Sequence, residues 1–285
     1  MSHHLSLLAC FAHPDDEGLV TGAFARYRQE GARIALICAT RGEVGEIAPG
    51  VNATRETLGA VREHELRTAM SHADVEEIYF LDYRDSGMDG TDENQHPDNF
   101  HNAPLDEVTG KVVRIIRETK PQVMVTFDPG GGYGHPDHIK IHHAAMAAFN
   151  QAGDPTCFVE QLTNGLQPHT PLKLYWNAFS REFFIEMARF FKEQGIDTAQ
   201  FGAFDPTKRG TPTAEITTKL DVSAYRDLKT RAWTSHASQQ NPNSIFAKAP
   251  PELWEKFRAT ENFVLAASRL PKPNGIEDDL FAGVR

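Results

Sequence analysis

The sequence predicts an α/β fold with a doubly wound, mostly parallel sheet and helices on both of its faces. Short apolar runs alternate with amphipathic segments throughout the first 150 residues. These runs are apolar almost without interruption, as strands are when both faces of a parallel sheet are covered. Polar loops follow several of the runs directly, which is typical of the functional edge of such a sheet.

In the first half of the chain, the pattern of apolar residues and the residues typical of helix ends predict the helices and strands. Residues 5–12 (LSLLACFA) form a buried-type strand, and the helix predicted at 18–30 ends before Gly31, a residue typical of helix ends. The helix predicted at 54–71 has an apolar face made of Leu58, Val61, Leu66, Ala69 and Met70. The remaining elements are strands at 33–39, 77–81 and 122–127 and a helix at 105–120.

The second half carries a weaker pattern. It predicts strands at 172–179, 215–220 and 262–267 and helices at 181–194 and 224–233. Connections rich in Gly, Pro and Thr at 205–212 and 241–251 indicate surface loops, and long loops often form a rim over a site. We therefore expect residues 1–150 to form a metal-binding core and residues 151–285 to continue the same domain with extra strands, helices and rim loops.

The expected strand order, 3-2-1-4-5, makes strands one and four neighbours at the point where the order reverses. Ligands of open α/β sheets bind at this point, beyond the carboxyl ends of the strands. The loops at 13–17 and 135–138 should therefore face each other. The loops at 42–46 and 83–88 should end at the same edge.

Composition excludes several classes of protein. The formal net charge of -10 opposes the phosphate contacts that dominate nucleic-acid affinity, so we expect no nucleic-acid partner. No apolar stretch is long enough to span a membrane, and residues 1–5 lack the basic start of a signal peptide, so a cytoplasmic location is expected. Three cysteines, Cys10, Cys38 and Cys157, suggest reduced thiols without disulfides or a cysteine zinc site.

Two motifs carry the chemistry. His-Pro-Asp-Asp-Glu at 13–17 and His-Pro-Asp-His at 135–138 each follow a predicted strand. A catalytic zinc ion takes three His, Asp or Glu ligands and leaves one position for water, a requirement that His13, Asp16 and His138 satisfy. Zinc lowers the pKa of its water, but a base must still accept the proton, and Asp15 is the candidate.

An attack on an amide carbonyl also needs donors that stabilise the oxyanion. His135 and Tyr133 are the candidates, with Asp137 orienting or charging the His135 ring.

Competing interpretations exist for other polar residues. His142 and His143 are alternative ligands, although a solvated or half-buried helix face is favoured. His96 belongs to a similar His-Pro-Asp sequence but follows no strand, so it is interpreted as a surface turn. Glu17 is interpreted as a helix-start carboxylate rather than a ligand. Arg62 and Asp85 are each either ordinary structural polar residues or substrate contacts.

Ala12 and the motif at 13–17, together with the motif at 135–138, resemble the N-acetylglucosaminylphosphatidylinositol de-N-acetylase family, also called LmbE-like or PIG-L proteins. The similarity extends over about residues 5–141 and includes residues 62–66 and 83–88. It implies a Rossmann-like fold and zinc-dependent deacetylation of molecules that contain N-acetylglucosamine.

The resemblance implies roles at matching positions. His13, Asp16 and His138 match the zinc ligands, Asp15 the general base, and His135 the histidine that stabilises the oxyanion or protonates the amine. Further matches are Tyr133 near the carbonyl oxygen, Arg62 and Asp85 at sugar or inositol hydroxyls, and His236, within a late His-x-Ser-Gln segment, at the rim.

We therefore expect a zinc-dependent hydrolase that removes an acyl group, most simply acetyl, from the nitrogen of a glucosamine-type conjugate. Two alternatives stay open: cleavage of a cysteinyl amide in a glucosaminyl thiol conjugate, and non-catalytic binding of a sugar conjugate. A nucleotide-dependent oxidoreductase is disfavoured because residues 12–18 contain no Gly-x-Gly-x-x-Gly turn. Iron(II) suits the same ligands as zinc. The oligomeric state and the exact substrate are not encoded in any recognisable pattern.

Overall fold

The computed structural model describes residues 5–196, 205–244 and 246–285. Within them, a single sheet has the order β3-β2-β1-β4-β5-β7-β6. Its strands are β1 (Ser6–Phe11), β2 (Arg33–Cys38), β3 (Glu77–Phe80), β4 (Val123–Thr126), β5 (Lys173–Ala178), β6 (Thr218–Asp221) and β7 (Thr260–Ser268). Residues 1–4, most of the segment considered for a leader, lie outside the described residues.

Helices connect and cover these strands. The α-helices are α1 (Thr21–Gln29), α2 (Leu58–Ser71), α3 (Leu105–Thr119), α4 (Gly131–Gly134), α5 (Pro136–Gln151), α6 (Val159–Thr163), α7 (Arg181–Glu193), α8 (Arg226–Ser235) and α9 (Pro251–Ala259). Short 3-10 turns lie at Asp16–Leu19, Asp92–Gln95, Phe100–Asn102, Thr213–Glu215, Ser223–Tyr225, Ala237–Gln239 and Phe246–Lys248.

The first five strands of the sheet confirm the predicted doubly wound fold. β1 pairs in parallel with β2 on one side and with β4 on the other, and β3 and β5 extend the parallel part outward. Every residue of β1 and β4 is buried, because helices cover both faces of the sheet. This burial explains why these strands are continuous apolar runs rather than alternating ones.

Two antiparallel strands extend the predicted order. β7 lies between β5 and β6 and pairs antiparallel with both. The start of the strand predicted at 215–220 is wrong: a 3-10 turn occupies Thr213–Glu215, and β6 begins only at Thr218. Strands from both halves of the chain belong to this one sheet. The expected division of the domain into a metal-binding core at 1–150 and a continuation at 151–285 stays a prediction.

Other boundaries also differ from the sequence prediction. The helix predicted at 18–30 is a 3-10 turn followed by α1, and α9 was not predicted at all. α9 begins at Pro251, in a segment whose two prolines suggested a loop, although proline suits the first position of a helix. Cys10, Cys38 and Cys157 are free, as expected. Within the described ranges, no helix combines the length and apolar character that crossing a membrane requires.

Candidate metal centre

The two motifs meet because their strands are parallel neighbours. β1 ends at Phe11 and β4 at Thr126, so the chain leaves both strands at the same edge of the sheet. His13 lies one residue beyond the end of β1, after Ala12, whereas His138 lies in the first turn of α5. Pro136 is the first residue of α5, a position where its missing N–H and fixed φ favour the helix start.

Three side chains form a compact buried cluster. His13 Nδ1 lies 3.1 Å from His138 Nε2. Asp16 Oδ1 lies 3.3 Å from His138 Nε2, and Asp16 Oδ2 lies 3.6 Å from His13 Nδ1. Ligand atoms about 2.0–2.2 Å from a tetrahedral zinc ion stand about 3.3–3.6 Å apart. The two distances to Asp16, which involve different carboxylate oxygens, fall in this range, and the distance between the two histidines lies just below it. The three side chains are therefore close enough to share one ion of this kind.

Hydrogen bonds fix which nitrogen of each ring faces the cluster. His13 Nε2 lies 3.2 Å from Asp137 Oδ2 and 3.5 Å from Asp85 Oδ1, and His138 Nδ1 lies 3.1 Å from the carbonyl oxygen of Gly131. Because these oxygens only accept, the neutral rings carry their protons on those nitrogens. In these tautomers the two facing nitrogens are both unprotonated, and either a metal ion or an added proton between them would remove the repulsion of their lone pairs.

The surrounding charges also favour a cation. Burial lowers the pKa of His13, but Asp85, Asp137 and Asp16 outweigh burial and raise it well above its ordinary value. Burial raises the pKa of Asp16, but His138 and His13 outweigh burial and hold it below its usual range. Asp16 Oδ2 also accepts hydrogen bonds from two backbone amides of the same loop, at 2.7 and 3.2 Å.

In the described part of the chain, two groupings bring their ligand atoms within 4.8 Å of one another, and neither of them includes Asp16. One consists of His13, His135 and His138, and the other of His13, Asp85 and Asp137. His13 belongs to both, since its two ring nitrogens face opposite sides. In the second grouping a metal would displace the proton that His13 shares with the carboxylates.

Asp15 lies beside the cluster in an unusual backbone conformation. Its φ is 115°, a value that residues other than glycine rarely adopt. Arg62 Nη2 donates to Asp15 Oδ2 at 3.1 Å and to the carbonyl oxygen of Pro14 at 2.5 Å. Burial raises the pKa of Asp15 to about 6, and the Arg62 guanidinium offsets only part of that effect.

His135 is neutral near neutral pH. Burial, followed by the charges of His13 and His138, lowers the pKa of His135 to about 4. Its Nδ1 accepts a hydrogen bond from the backbone amide of Asp137 at 3.2 Å, so the ring proton lies on Nε2. The His135 ring centroid lies 4.5 Å from that of His13 and 4.9 Å from that of His138. His135 can therefore present an N–H donor beside the cluster.

Asp137 contacts both His13 and His135, and its predicted role of orienting or charging the His135 ring stays a prediction. Burial lowers the pKa of His135, and the negative charge of Asp137 raises it. Its carboxylate contacts His13 and the side chain and amide of Ser86, while only its backbone amide contacts the His135 ring. Sequence reasoning overlooked Ser86. A short polar side chain after a strand is too common to have identified it.

The remaining predicted residues occupy different environments. Tyr133 is 58% exposed, and its ring centroid lies 5.1 Å from that of His138. Asp85 is buried and accepts a hydrogen bond from the amide of Gly87 at 2.9 Å. Arg62 is also buried, and its contacts are to the loops of the site itself. The prediction that His236 lies at the rim is wrong, because only 1% of it is exposed.

The alternative histidines do not join the cluster. His142 is buried, contrary to the solvated or half-buried face expected, and its Nδ1 lies 2.8 Å from the carbonyl oxygen of Phe127. His143 is exposed on α5, and His96 is exposed in a turn, as expected. Glu17 is buried in the first turn after Asp15 and contacts His236. Sequence reasoning had not linked these two residues.

Comparison with known proteins gives a consistent result. The family model of PIG-L, GlcNAc-PI de-N-acetylase, matches residues 8–149. The chain is 39% identical over 295 residues to the 1D-myo-inositol 2-acetamido-2-deoxy-alpha-D-glucopyranoside deacetylase of Streptomyces griseus, covering 98% of this chain and 88% of that protein. It is 40% identical over 292 residues to the enzyme of the same name from Thermobifida fusca, covering 97% and 98%.

Solved structures share the fold at lower identity. N,N'-diacetylchitobiose deacetylase from Pyrococcus horikoshii has a TM-score of 0.62 at 20% identity, covering 92% of this chain and 83% of its own. GalB, the 4-carboxy-2-hydroxymuconate hydratase of Pseudomonas putida, has a TM-score of 0.63 at 16% identity, covering 94% and 99%. Because a deacetylase and a hydratase have the same fold, the fold alone does not decide the reaction.

Proposed function

The chain belongs to the GlcNAc-PI de-N-acetylase (PIG-L) family, and we propose that it removes the acetyl group from 1D-myo-inositol 2-acetamido-2-deoxy-glucopyranoside. The substrate follows from the relatives that the chain matches over almost its full length. The products are acetate and the free amine of the glucosaminyl inositol. Because these relatives are deacetylases, deacetylation is favoured over cleavage of a cysteinyl amide.

We propose His13, Asp16 and His138 as the ligands of a zinc ion. The observation that carries this proposal is the pair of ring nitrogens, His13 Nδ1 and His138 Nε2, that face each other at 3.1 Å with their opposite nitrogens hydrogen-bonded. A zinc ion bound there lowers the pKa of its water toward about 7 and polarises a carbonyl oxygen. Iron(II) has the same preference for these ligands, and its availability in the cell decides between them.

Asp15 is the proposed general base. It accepts a proton from the water that attacks the amide carbonyl, and a pKa of about 6 suits both this step and the later return of the proton. The Arg62 contacts hold its carboxylate and the preceding carbonyl group in place. This arrangement supports a positioning role for Arg62 besides the sugar or inositol contact that the resemblance implies.

His135 is the proposed donor to the oxyanion. As a neutral ring with its proton on Nε2, it donates a hydrogen bond as negative charge develops on the carbonyl oxygen. The leaving amine takes its proton from Asp15, which received it from the attacking water. The exposed Tyr133 beside His138 is positioned to add its hydroxyl as a second donor when substrate is bound. Asp85 is the proposed contact to substrate hydroxyls.

The test measures amine release by the zinc-loaded protein from the glucosaminyl inositol substrate, from N-acetylglucosamine and from a cysteinyl amide conjugate. We expect turnover of the first substrate to exceed that of the other two, and a chelator to abolish it. Asp16→Ala should lose zinc, whereas Asp15→Asn should keep zinc and lose turnover. His96→Ala is the matched control, because His96 lies in a similar His-Pro-Asp sequence at the surface. Full zinc content in Asp16→Ala would refute the ligand assignment.

A further inference from the structure

A buried pair joins the late part of the chain to the first motif. His236 Nε2 lies 2.6 Å from Glu17 Oε1, and each residue is only 1% exposed. These residues are 219 positions apart in the sequence. The other ring nitrogen of His236, Nδ1, has no hydrogen-bond partner among the described residues. The contact to Glu17 is therefore the hydrogen bond that orients this ring.

Glu17 also forms a hydrogen bond with the backbone of Asp15, the proposed base. Its second carboxylate oxygen, Oε2, accepts a hydrogen bond from the backbone amide of Asp15 at 2.9 Å. The backbone of Asp15 has a positive φ of 115°, which an L residue keeps only when its surroundings enforce it. Gly18 N also donates to the carbonyl oxygen of Asp15 at 3.0 Å. The peptide groups on both sides of the Asp15 Cα atom are thus held.

We propose that His236 is a positioning residue that acts through Glu17 to hold the Asp15 backbone in the conformation that presents its carboxylate to the attacking water. This inference rests on the proposed function, which makes Asp15 the general base. It replaces the rim role expected for His236 from the sequence. His236 is too deeply buried to meet substrate directly, so its effect on the reaction passes through the two carboxylates.

Charge supports the same role. Glu17 is the third of three consecutive carboxylates, and an ionised Glu17 without a partner would repel Asp15 and Asp16. Burial lowers the pKa of His236, but the Glu17 carboxylate outweighs burial and raises it. A buried pair of this kind stays in place because removing either partner leaves a desolvated polar group unsatisfied.

The segment that carries His236 also contains Ser238, which contacts a different carboxylate. Ser238 donates from its amide and hydroxyl to the two oxygens of Glu65, at 2.8 and 2.6 Å, on α2. Both contacts anchor the late segment against a buried carboxylate, but only that of His236 continues to the Asp15 amide. Ser238→Ala is therefore a matched control for the general effect of loosening this segment.

The experiment compares two amide replacements of His236 in the zinc-loaded full chain. The Gln amide extends to the position of Nε2 and reaches Glu17, whereas the shorter Asn amide stands near the position of Nδ1 and does not. We expect His236→Asn to lower kcat about 10- to 100-fold at unchanged KM and zinc content, the effect expected from a misplaced catalytic group. His236→Gln should retain most of the kcat, and Ser238→Ala should retain all of it.

A double-mutant cycle separates positioning from structural damage. Asp15→Asn and the double variant Asp15→Asn, His236→Asn should have the same residual kcat, because the base through which His236 acts is already absent. Independent losses that multiply, equal losses in the Asn and Gln variants, or loss of zinc in His236→Asn would each overturn the inference.

A crystal structure of His236→Asn, or of His236→Gln should the Asn variant not fold, provides a second test. The positive φ of Asp15 should relax in the Asn variant and persist in the Gln variant. If Asp15→Asn alone keeps full turnover, the general base of the proposed function is wrong. If instead Asp15→Asn is inactive and His236→Asn is fully active, only the role of His236 is wrong.

Discussion

Gly131→Ala should weaken zinc binding through crowding of one ligand. Gly131 has a φ of +61°, and a Cβ atom added there would lie 2.9 Å from His138 Cβ and 3.0 Å from Ile139 N and Cγ1. Contacts this short require the start of α5 to shift. The carbonyl group of Gly131 is also the hydrogen-bond acceptor of His138 Nδ1. The substitution therefore disturbs the ligand and the group that orients it.

Two effects of different size should follow. An alanine held in the left-handed region lowers the free energy of unfolding by about 1–2 kcal/mol. Disturbing a hydrogen-bond partner of a metal-bound histidine typically lowers metal affinity about 10- to 100-fold. We expect Gly131→Ala to show both effects. They are measured by urea unfolding of the metal-free protein and by zinc competition with a chromogenic chelator.

Gly90→Ala is the matched control. Gly90 also has a positive φ, +81°, but a Cβ atom there would meet nothing within 4 Å. Gly90→Ala should therefore be destabilised to a similar extent while binding zinc like the unmodified protein. Unchanged zinc affinity in Gly131→Ala, or an equal loss of affinity in both variants, would refute the reasoning.

Three further predictions follow from buried contacts. Asp137→Asn should lower zinc affinity about 10- to 100-fold in the chelator competition, because its carboxylate orients the His13 ring. Gly42→Ala should lower kcat about tenfold in the amine-release assay with zinc retained, since its Cβ atom would lie 2.1 Å from Arg62 Nη1 and displace the group that holds the base. Lys173→Met should lower the free energy of unfolding by about 3 kcal/mol in urea titration, because it leaves a largely buried carboxylate without its cation.

Each of these predictions has an outcome that contradicts it. Wild-type zinc affinity in Asp137→Asn would mean that His13 is not oriented through Nε2. A Gly42→Ala enzyme with unchanged kcat would mean that Arg62 does not position the base. The kcat of folded Lys173→Met should stay unchanged, since Lys173 lies on β5 and pairs with Glu277, so a large loss would point to an unrecognised link to the site.

Local pattern and sheet geometry together predict the central part of the site. The strands before the two motifs are apolar on both faces, which indicates parallel neighbours covered by helices. The carboxyl ends of such neighbours lie together, so His13 and His138 are expected near one point although 125 residues separate them. The proline before each Asp and the helix that begins at Pro136 explain why the side chains are held in short, defined loops.

Long-range contacts of the second half could not be predicted in this way. Nothing near His236 in the sequence indicates that its partner is Glu17, because the contact depends on how α8 packs. The insertion of β7 between β5 and β6 likewise depends on antiparallel pairing, which no local pattern specifies. The carboxylate of Asp137 contacts His13 and Ser86, which lie far from it in the chain, and no local pattern indicates these contacts.

The most direct test is an anomalous-diffraction crystal structure of the zinc-loaded protein, which locates the ion among the competing ligand sets. We predict an ion about 2.0–2.2 Å from His13 Nδ1, His138 Nε2 and one oxygen of Asp16. An ion bound instead to His13 Nε2 between Asp85 and Asp137, or one that touches only one of the two histidines, would contradict the proposed centre.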